Sequence, residues 1–545
     1  MSLKRWLAEL RFSRALAAVL LANLAALVVL NTLELRPARL LIVYPLALGV
    51  SGWLLSRARV RRAPMEISAW LILWALAFVA FLTVPRLPYL LEWIPGNAVL
   101  AQADDWGRLA ELVSMTLSDQ YPLKHFANQS YLLSHYYTPL YPMAFLKTLI
   151  PAITLKDAIL AGNLLYHLLL VLSLLEVSGR WFPARRSAVV FFFLCTLFGG
   201  FDWLISLRGL FGHAEAWPHR VFHATREVSS FFTGLYWVVH HFTGFYSVVL
   251  AFVFARTLFF RWRAVKPALL GLLLVNAFYS SAFAAAPAVL LGLPELRWLL
   301  KRSWRTRVLP LVAAVFLAPL FLYTNRVQKE TLFFAPVHLK VVGLPWLDWA
   351  ASFLVYLLLI SVIDLGGIPL LLLAFWRRFS RSERRYFAGA ALVLASTYFV
   401  ESIGHNNYSM RSTLLPIFVF YYLFAKYAVT VKVGRWRPAL AVLAVVVSVG
   451  TLREWAYLTY QPLMHSYWYW RIRGQQPPER AARFMRPFYR DLARDRATRY
   501  YEPRSGDRHS PHKYNAEKMI RDLPVAEMSE QELELLRNPR RYWFW

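Results

Sequence analysis

One cysteine, Cys195, occurs in 545 residues. A disulfide within the chain is therefore excluded, as is a cluster of cysteine ligands around a metal. Its place in an apolar run reads as that of a small buried hydrophobe. Charge is scarce as well: Asp, Glu, Lys and Arg make up 17%, against about 25% in ordinary soluble domains. Negative charge is scarcest, with 31 Asp and Glu facing 61 Lys and Arg, a net charge of +30. There is no short-period repeat and no long low-complexity linker, which leaves out solenoid arrays and disordered tethers.

What is abundant is apolar surface. The chain is 58% hydrophobic with a mean hydropathy of +0.41, more than a soluble fold can hide. Apolar runs of roughly 20 residues recur, the length that crosses a bilayer. Aromatic residues reach 16%, including 22 Trp and 28 Tyr, and these two favour the headgroup level. The first apolar stretch follows Lys4, Arg5, Arg11 and Arg14. It lacks a small-residue cleavage site and a second apolar stretch follows at once, so it reads as a retained anchor rather than a signal peptide.

The patterning predicts spans near 13–32, 39–56, 66–85, 157–177, 187–207, 241–260, 305–324, 350–375, 386–403, 412–430 and 437–455. Residues 138–153, which open with Pro139-Leu-Tyr-Pro142, and residues 267–293, broken by Asn276, Ser280 and Ser281, fit either a short embedded helix or hairpin or a full crossing. Basic clusters lie between the spans: Arg57/Arg59/Arg61/Arg62, Arg180/Arg185/Arg186, Arg261/Arg263/Lys266, Lys301/Arg302/Arg305/Arg307, Arg377/Arg378/Arg381/Arg384/Arg385 and Lys432/Arg435/Arg437. Short arginine-rich loops are cytoplasmic. All fall on one side only if 138–153 does not cross and 267–293 returns to the side it left. This use of the positive charge also argues against nucleic acid as a partner.

The expected fold class is all-α: a polytopic transmembrane helical bundle of about 11–13 spans, with outer juxtamembrane helices and a small C-terminal extracytoplasmic region. Residues 1–65 would form two N-terminal spans, 66–455 the main membrane domain with its outer loop 86–156, and 456–545 the outer tail. The N-terminus is then cytoplasmic and the C-terminus extracytoplasmic. Segments 208–240, 325–349 and 404–411 also fall outside.

The outer segments hold the candidate chemistry. Asp104-Asp105-Trp106 precedes an apolar stripe of Leu109, Leu112, Val113 and Leu117, the pattern of an amphipathic surface helix. Acidic residues suit a helix N-terminus, so either aspartate also fits a simple N-cap. His135-Tyr136-Tyr137-Thr-Pro139-Leu-Tyr141-Pro142 suits a kinked lead into the membrane or an interfacial aromatic belt. Segment 208–241 carries His213, Glu215, His219, His223, Glu227, His240 and His241. Imidazole and carboxylate bind transition metals, but the spacing matches no defined motif such as HExxH; substrate contact is the other use, and a divalent metal stays open. Glu401-Ser-Ile-Gly-His405-Asn406-Asn407-Tyr-Ser-Met-Arg411 crowds polar groups between two spans, and the planar donor fork of Arg411 suits phosphate or a headgroup anchor. Arg326 and Lys329 offer the same. Asp202 and Asp364 lie in or near spans, where a carboxylate is a candidate by default; Asp364, before Gly366-Gly367, would cap a broken helix.

At these residues the chain resembles the GT-C superfamily of polytopic glycosyltransferases. Those enzymes place an acidic residue in a first long outer loop and follow it with a Tyr-x-Pro-Leu-Tyr-type segment, here Asp104-Asp105 and Tyr137-Thr-Pro-Leu-Tyr141. It is also similar to bacterial membrane proteins of this type in Asp105-Trp106, His135-Tyr136-Tyr137 and the late Asn406-Asn407-Tyr-Ser-Met410-Arg411. The likeness spans roughly 66–430. Two positions depart: Leu109 stands where a His is frequent, and Asn407 where an Asp is common.

The resemblance implies a bacterial inner-membrane enzyme that moves a sugar from a polyprenyl-phosphate donor to a glycan, lipid or protein acceptor at the extracytoplasmic face, with inversion. Asp105 or Asp104 would be the general base. Arg411, with Arg326 second, would stabilise the leaving phosphate. Glu401, His405, Asn407, Tyr137, His135, His240, His241 and Glu215 would contact substrate. A flippase of lipid-linked saccharides and an accessory subunit of a membrane complex are the competing classes.

Overall fold

The computed structural model describes residues 9–60, 68–86, 138–182, 184–201, 230–237, 239–261, 265–288, 345–402, 407–428 and 442–456. It also describes short pieces at 112, 115–116, 121, 124–125, 128–132, 203, 228, 291, 332–334 and 459.

These residues are overwhelmingly helical. Helix α1, Arg11–Thr32, is rich in Leu and Ala and contains neither Gly nor Pro. Helix α2, Leu40–Ser56, follows a 3₁₀ turn at Pro37–Arg39. Helix α3, Ala69–Thr83, begins where the Ser68 hydroxyl accepts the Leu71 N–H at 3.3 Å. Helix α4, Tyr141–Leu149, follows a 3₁₀ turn at Thr138–Leu140. At nine residues, about 14 Å at the helical rise, α4 is too short to cross a bilayer. Helix α5, Leu155–Trp181, starts from a Thr154 cap and is the longest of the described helices. Helix α6, Arg185–Leu197, stops before Gly199-Gly200, ten residues short of the 187–207 expectation.

Helices α7, Phe231–Trp237, and α8, Val239–Thr257, lead to α9, Val265–Ser280. Helix α10, Pro345–Ile363, breaks at Asp364–Gly367 before α11, Ile368–Leu373. The 350–375 expectation is thus two helices; Gly367, not Asp364, is the N-cap of α11, and no side chain caps it. Helix α12, Arg381–Phe399, begins five residues earlier than expected because Ser380 and Glu383 form a capping box. Helix α13, Asn407–Ser412, turns into α14, Leu414–Ala428, and residues 442–456 are helical.

The strands among the described residues are three short antiparallel pairs. Arg59–Val60 pairs with Leu258–Phe259, Lys124–His125 with Asn128–Leu132, and Leu332–Phe334 with Val400–Ser402.

Helices α1 and α5 form the buried axis and run antiparallel. Stretches Arg11–Thr32, Pro37–Ser56 and Asp157–Trp181 are long and apolar enough to cross a membrane. The first and third are mostly buried, whereas the second exposes Leu41, Ile42, Leu46, Val50 and Trp53. Further exposed apolar side chains lie on α3 (Trp70, Leu73), α10 (Leu354, Leu358) and the last helix (Val442, Val445). Exposed Leu and Val on the outside of a helical bundle suit lipid, where backbone groups must be satisfied within each helix.

One end of the bundle collects basic residues. Arg14 Nη2 donates to the Ala58 carbonyl at 3.0 Å, Arg59 stands opposite Phe259, and Arg256 Nη2 donates to the Tyr386 hydroxyl at 3.3 Å. Lys426 pairs with Glu383, and the Tyr427 hydroxyl donates to Glu383 at 2.8 Å with the Arg378 carbonyl 3.2 Å away. These contacts join the ends of α1, α2, α8, α11, α12 and α14. Arg36, Arg39 and Lys147 lie toward the opposite end, near the Tyr121 N–H that donates to the Leu35 carbonyl.

Candidate functional site

A polar seam runs through the middle of the bundle. Asn23 lies half-way along α1, whose 22 residues span ~33 Å. Its Nδ2 donates to the Tyr166 hydroxyl of α5 at 2.9 Å, and its Oδ1 accepts from the Tyr44 hydroxyl of α2 at 3.2 Å. Tyr166 in turn donates to the Pro139 carbonyl at 2.9 Å. The Thr-Pro-Leu turn therefore sits beside the centre of α1 and α5, and α4 rises from it along α5. Gly162 permits this contact, because a Cβ there would meet Met143 Cγ at 2.3 Å. Residues 138–149 thus form an embedded half-helix, one of the two forms the prolines allowed.

The other side of this turn meets α9. The Thr138 hydroxyl donates to the Tyr279 carbonyl at 3.4 Å. Here the helix is interrupted at Ser281, whose N–H still donates to Ala277 at 2.9 Å while its Oγ accepts the Ala284 N–H at 3.3 Å. Ser281 ends one helix and caps the next, residues 282–288. Helix α8 packs close by: a Cβ on Gly244 would stand 3.0 Å from the Ala277 carbonyl oxygen and 3.1 Å from Ser281. Asn276 Nδ2 donates to Ser247 Oγ at 2.9 Å, whereas Asn276 Oδ1, Ser280 Oγ and both side-chain atoms of Asn163 are buried without a hydrogen-bond partner. One turn along α5 from Asn163, His167 Nε2 donates to the Leu235 carbonyl at 2.9 Å.

Helix α13 approaches the same break. The Tyr408 ring meets Phe283 edge-on at 5.6 Å, and its hydroxyl hydrogen-bonds Ser396 at 2.7 Å. Arg411, in the last turn of α13, is buried with 6% exposed. The strand pairing places Glu401 opposite Phe333. The structure therefore brings the Thr138–Tyr141 turn and the late Asn407–Arg411 segment to one neighbourhood, with the α9 break between them. His241 is fully buried at the start of α8. Thr116 Oγ1 donates to the Leu112 carbonyl at 2.9 Å; both residues are helical and Leu112 is buried, as the 109–117 stripe requires.

Asp104, Asp105, His135, Tyr137, Glu215, Arg326 and His405 lie outside the described residues, and of Glu401, Asn407 and His240 only the backbone is described. Among the described residues no group of three or more His, Cys, Asp and Glu is placed to hold a metal ion.

Several buried groups escaped the sequence reading. Glu176, near the end of α5, accepts the Phe12 and Ser13 N–H groups at 2.9 and 2.7 Å and the Ser13 hydroxyl at 2.7 Å. Arg453 and Glu454 are buried near the end of the last helix, and Arg453 Nη1 donates to the Trp203 carbonyl at 3.1 Å. Each is a charge inside an apolar run, a signal present in the sequence. Asn163 and His167 lie four residues apart, hence on one helical face. No known protein family, curated protein or solved structure matches the chain.

Proposed function

We propose that the chain is a membrane glycosyltransferase of GT-C type, which transfers a sugar from a polyprenyl-phosphate donor to a glycan, lipid or protein acceptor at the extracytoplasmic face. The observation that best supports this reading is the convergence of the embedded Thr138–Leu149 segment and helix α13 on the broken end of α9. A lipid-linked substrate must bring a polar head and a polyprenyl tail to one place, and buried polar groups among membrane-spanning helices offer such a place.

In the proposed reaction Asp105, with Asp104 as its alternate, removes the proton from an acceptor hydroxyl. The freed oxygen attacks the anomeric carbon from the face opposite the phosphate. The glycosidic C–O bond forms as the bond from that carbon to the phosphate oxygen breaks, which inverts the configuration. The electron pair leaves on polyprenyl phosphate, and the carboxylic acid returns its proton to solvent. Arg411 and Arg326 supply the cationic stabilisation that a phosphate leaving group needs.

Reconstitution into liposomes with a radiolabelled hexosyl polyprenyl phosphate and a membrane acceptor extract tests the reading. Release of free polyprenyl phosphate with label on the acceptor is the expected result. Label that crosses the bilayer still attached to its lipid, with no release, contradicts it.

That second outcome has an observation in its favour. The α10/α11 break meets the end of α6, where the Phe201 N–H donates to the Ile363 carbonyl and Gly199 N–H to Val447 at 3.0 Å. A broken helix packed against a neighbouring helix end is compatible with the discontinuous helices of transporters, so lipid-saccharide transport is the alternative reading.

A further inference from the structure

Among the described residues, three buried polar side chains near the Thr138–Leu140 turn carry side-chain atoms without a hydrogen-bond partner, although Asn276 also uses its Nδ2 on Ser247. Asn163 is 1% exposed, and neither its Nδ2 nor its Oδ1 has a hydrogen-bond partner. Asn276 and Ser280 are fully buried one turn apart on α9, with Asn276 Oδ1 and Ser280 Oγ likewise unpartnered. The turn connects them: the Tyr166 hydroxyl, one turn beyond Asn163, donates to the Pro139 carbonyl, and the residue before Ser280 accepts from Thr138. The neighbouring Asn23 provides the contrast, because both ends of its amide are occupied by tyrosine hydroxyls. Buried amides and hydroxyls are nearly always satisfied, so four unpartnered atoms on three side chains about one turn point to something bound there.

We propose that Asn163, Asn276 and Ser280 form the seat for the hydroxyl groups of a carbohydrate headgroup, beside the Thr138–Leu140 turn. Their chemistry selects the ligand class. All three are neutral, so the seat suits an uncharged group, whereas a buried ion needs a paired charge. The Asn163 amide offers two donors and an acceptor in one plane, which matches neighbouring hydroxyls that both donate and accept. Asn276 Oδ1 adds an acceptor and Ser280 a group that does either. The assignment to a sugar rests on the lipid-saccharide reading of the site; the phosphate would lie elsewhere, toward arginine.

The test is binding by the full-length protein in nanodiscs. The probes are four farnesyl-phosphate hexoses (glucose, mannose, galactose and N-acetylglucosamine), with methyl farnesyl phosphate as a sugar-free diester of equal charge. At least one hexosyl probe is expected to bind ten-fold or more tightly than the methyl diester. Asn163→Leu and Ser280→Ala should each remove most of that difference while leaving methyl-diester binding unchanged. Two results overturn the proposal: no hexosyl probe binds more tightly than the methyl diester, or both variants, with unfolding temperatures within a few degrees of the parent, keep the sugar preference. The second pattern is expected if buried water alone fills the seat. Sugar preference without transfer would instead refute the transferase reading and leave the seat standing.

Discussion

Glu176 illustrates how a single side chain decides the start of the first long helix. The residue before α1, Leu10, has a left-handed backbone (φ 54°) and no capping side chain of its own. A helix start without a cap leaves its first N–H groups unpaired. The carboxylate of Glu176, 164 residues away, accepts two of them, while the Ser13 hydroxyl donates a hydrogen bond to Glu176 and accepts one from the Ser173 hydroxyl at 2.8 Å. Glu176→Ala is expected to destabilise the protein by about 2–4 kcal/mol, the cost of leaving several buried donors unpaired. A thermal-unfolding comparison in detergent checks this, and an unchanged midpoint would contradict the capping role. The sequence Ser-Leu-Leu-Glu-Val-Ser carries no local sign of this partner, because capping between helices depends on register across the bundle.

Glu383 is a second case, at the basic end and outside the predicted 386–403 span. Burial raises its pKa, but Lys426, the Ser380 N–H and the hydroxyls of Tyr427 and Ser380 outweigh burial and lower it to about 2, from an ordinary 4.5. A carboxylate held lower when folded contributes stability that is complete above the unfolded value. That stability is lost as pH falls from about 4.5 through about 2. The Lys426 side chain is 43% exposed, so screening keeps the contribution on the order of 2 kcal/mol or less. Glu383→Gln should lower the midpoint at pH 7 and flatten the loss of stability between pH 5 and 2; a parent and variant with the same pH profile would refute the assignment.

At the scale of elements, the most constrained contact is the crossing of α6 with the α10/α11 break. Gly200 has φ +73°, and a Cβ there would lie 2.3 Å from the Ile363 carbonyl oxygen. Gly366 has φ +55° and would meet the Phe198 ring at 2.5 Å. A backbone oxygen cannot yield, so Gly200→Ala is expected to cost about 3 kcal/mol or more. Gly162→Ala meets only the flexible Met143 side chain and should cost about 1–2 kcal/mol. Folded yield by size exclusion ranks the two, and equal yields would contradict this account of the crossing.

Much of this level was legible: the apolar runs at 13–32, 39–56, 66–85, 157–177, 241–260 and 412–430 correspond to helices within a few residues. The breaks were legible only in part. Gly366-Gly367 and Ser280-Ser281 signal an interruption, but hydropathy averages across it. The Ser380-Arg-Ser-Glu383 box, visible in the sequence, moves the start of α12 into residues that hydropathy rejects. Of the candidate site, the Thr138–Tyr141 and Asn407–Arg411 segments were legible as motifs. Their meeting at Tyr279 and Phe283 was not, because it depends on tertiary packing.

At the scale of the whole molecule, the gathering of arginines at one end is the basis of the proposed orientation. If that end is cytoplasmic, as the positive-inside rule predicts, the α4–α5 turn faces outward. A Cys195→Ser background makes this testable, since Cys195 is fully buried and is the only cysteine. Ile150→Cys should react with a membrane-impermeant maleimide in intact cells, and Arg381→Cys only after permeabilisation. The reverse pattern would invert the topology and place the candidate site on the cytoplasmic face.

The central claim is that the chain transfers sugar from a lipid phosphate by means of a carboxylate base. Release of polyprenyl phosphate from a hexosyl polyprenyl phosphate in the presence of a membrane acceptor extract, with label passing to the acceptor, by purified parent and by Asp104→Asn, Asp105→Asn and the double variant, tests it most directly. The account predicts release by the parent, a loss of at least about 100-fold in one single variant and none measurable in the double variant. Full release by both single variants and the double variant would contradict it.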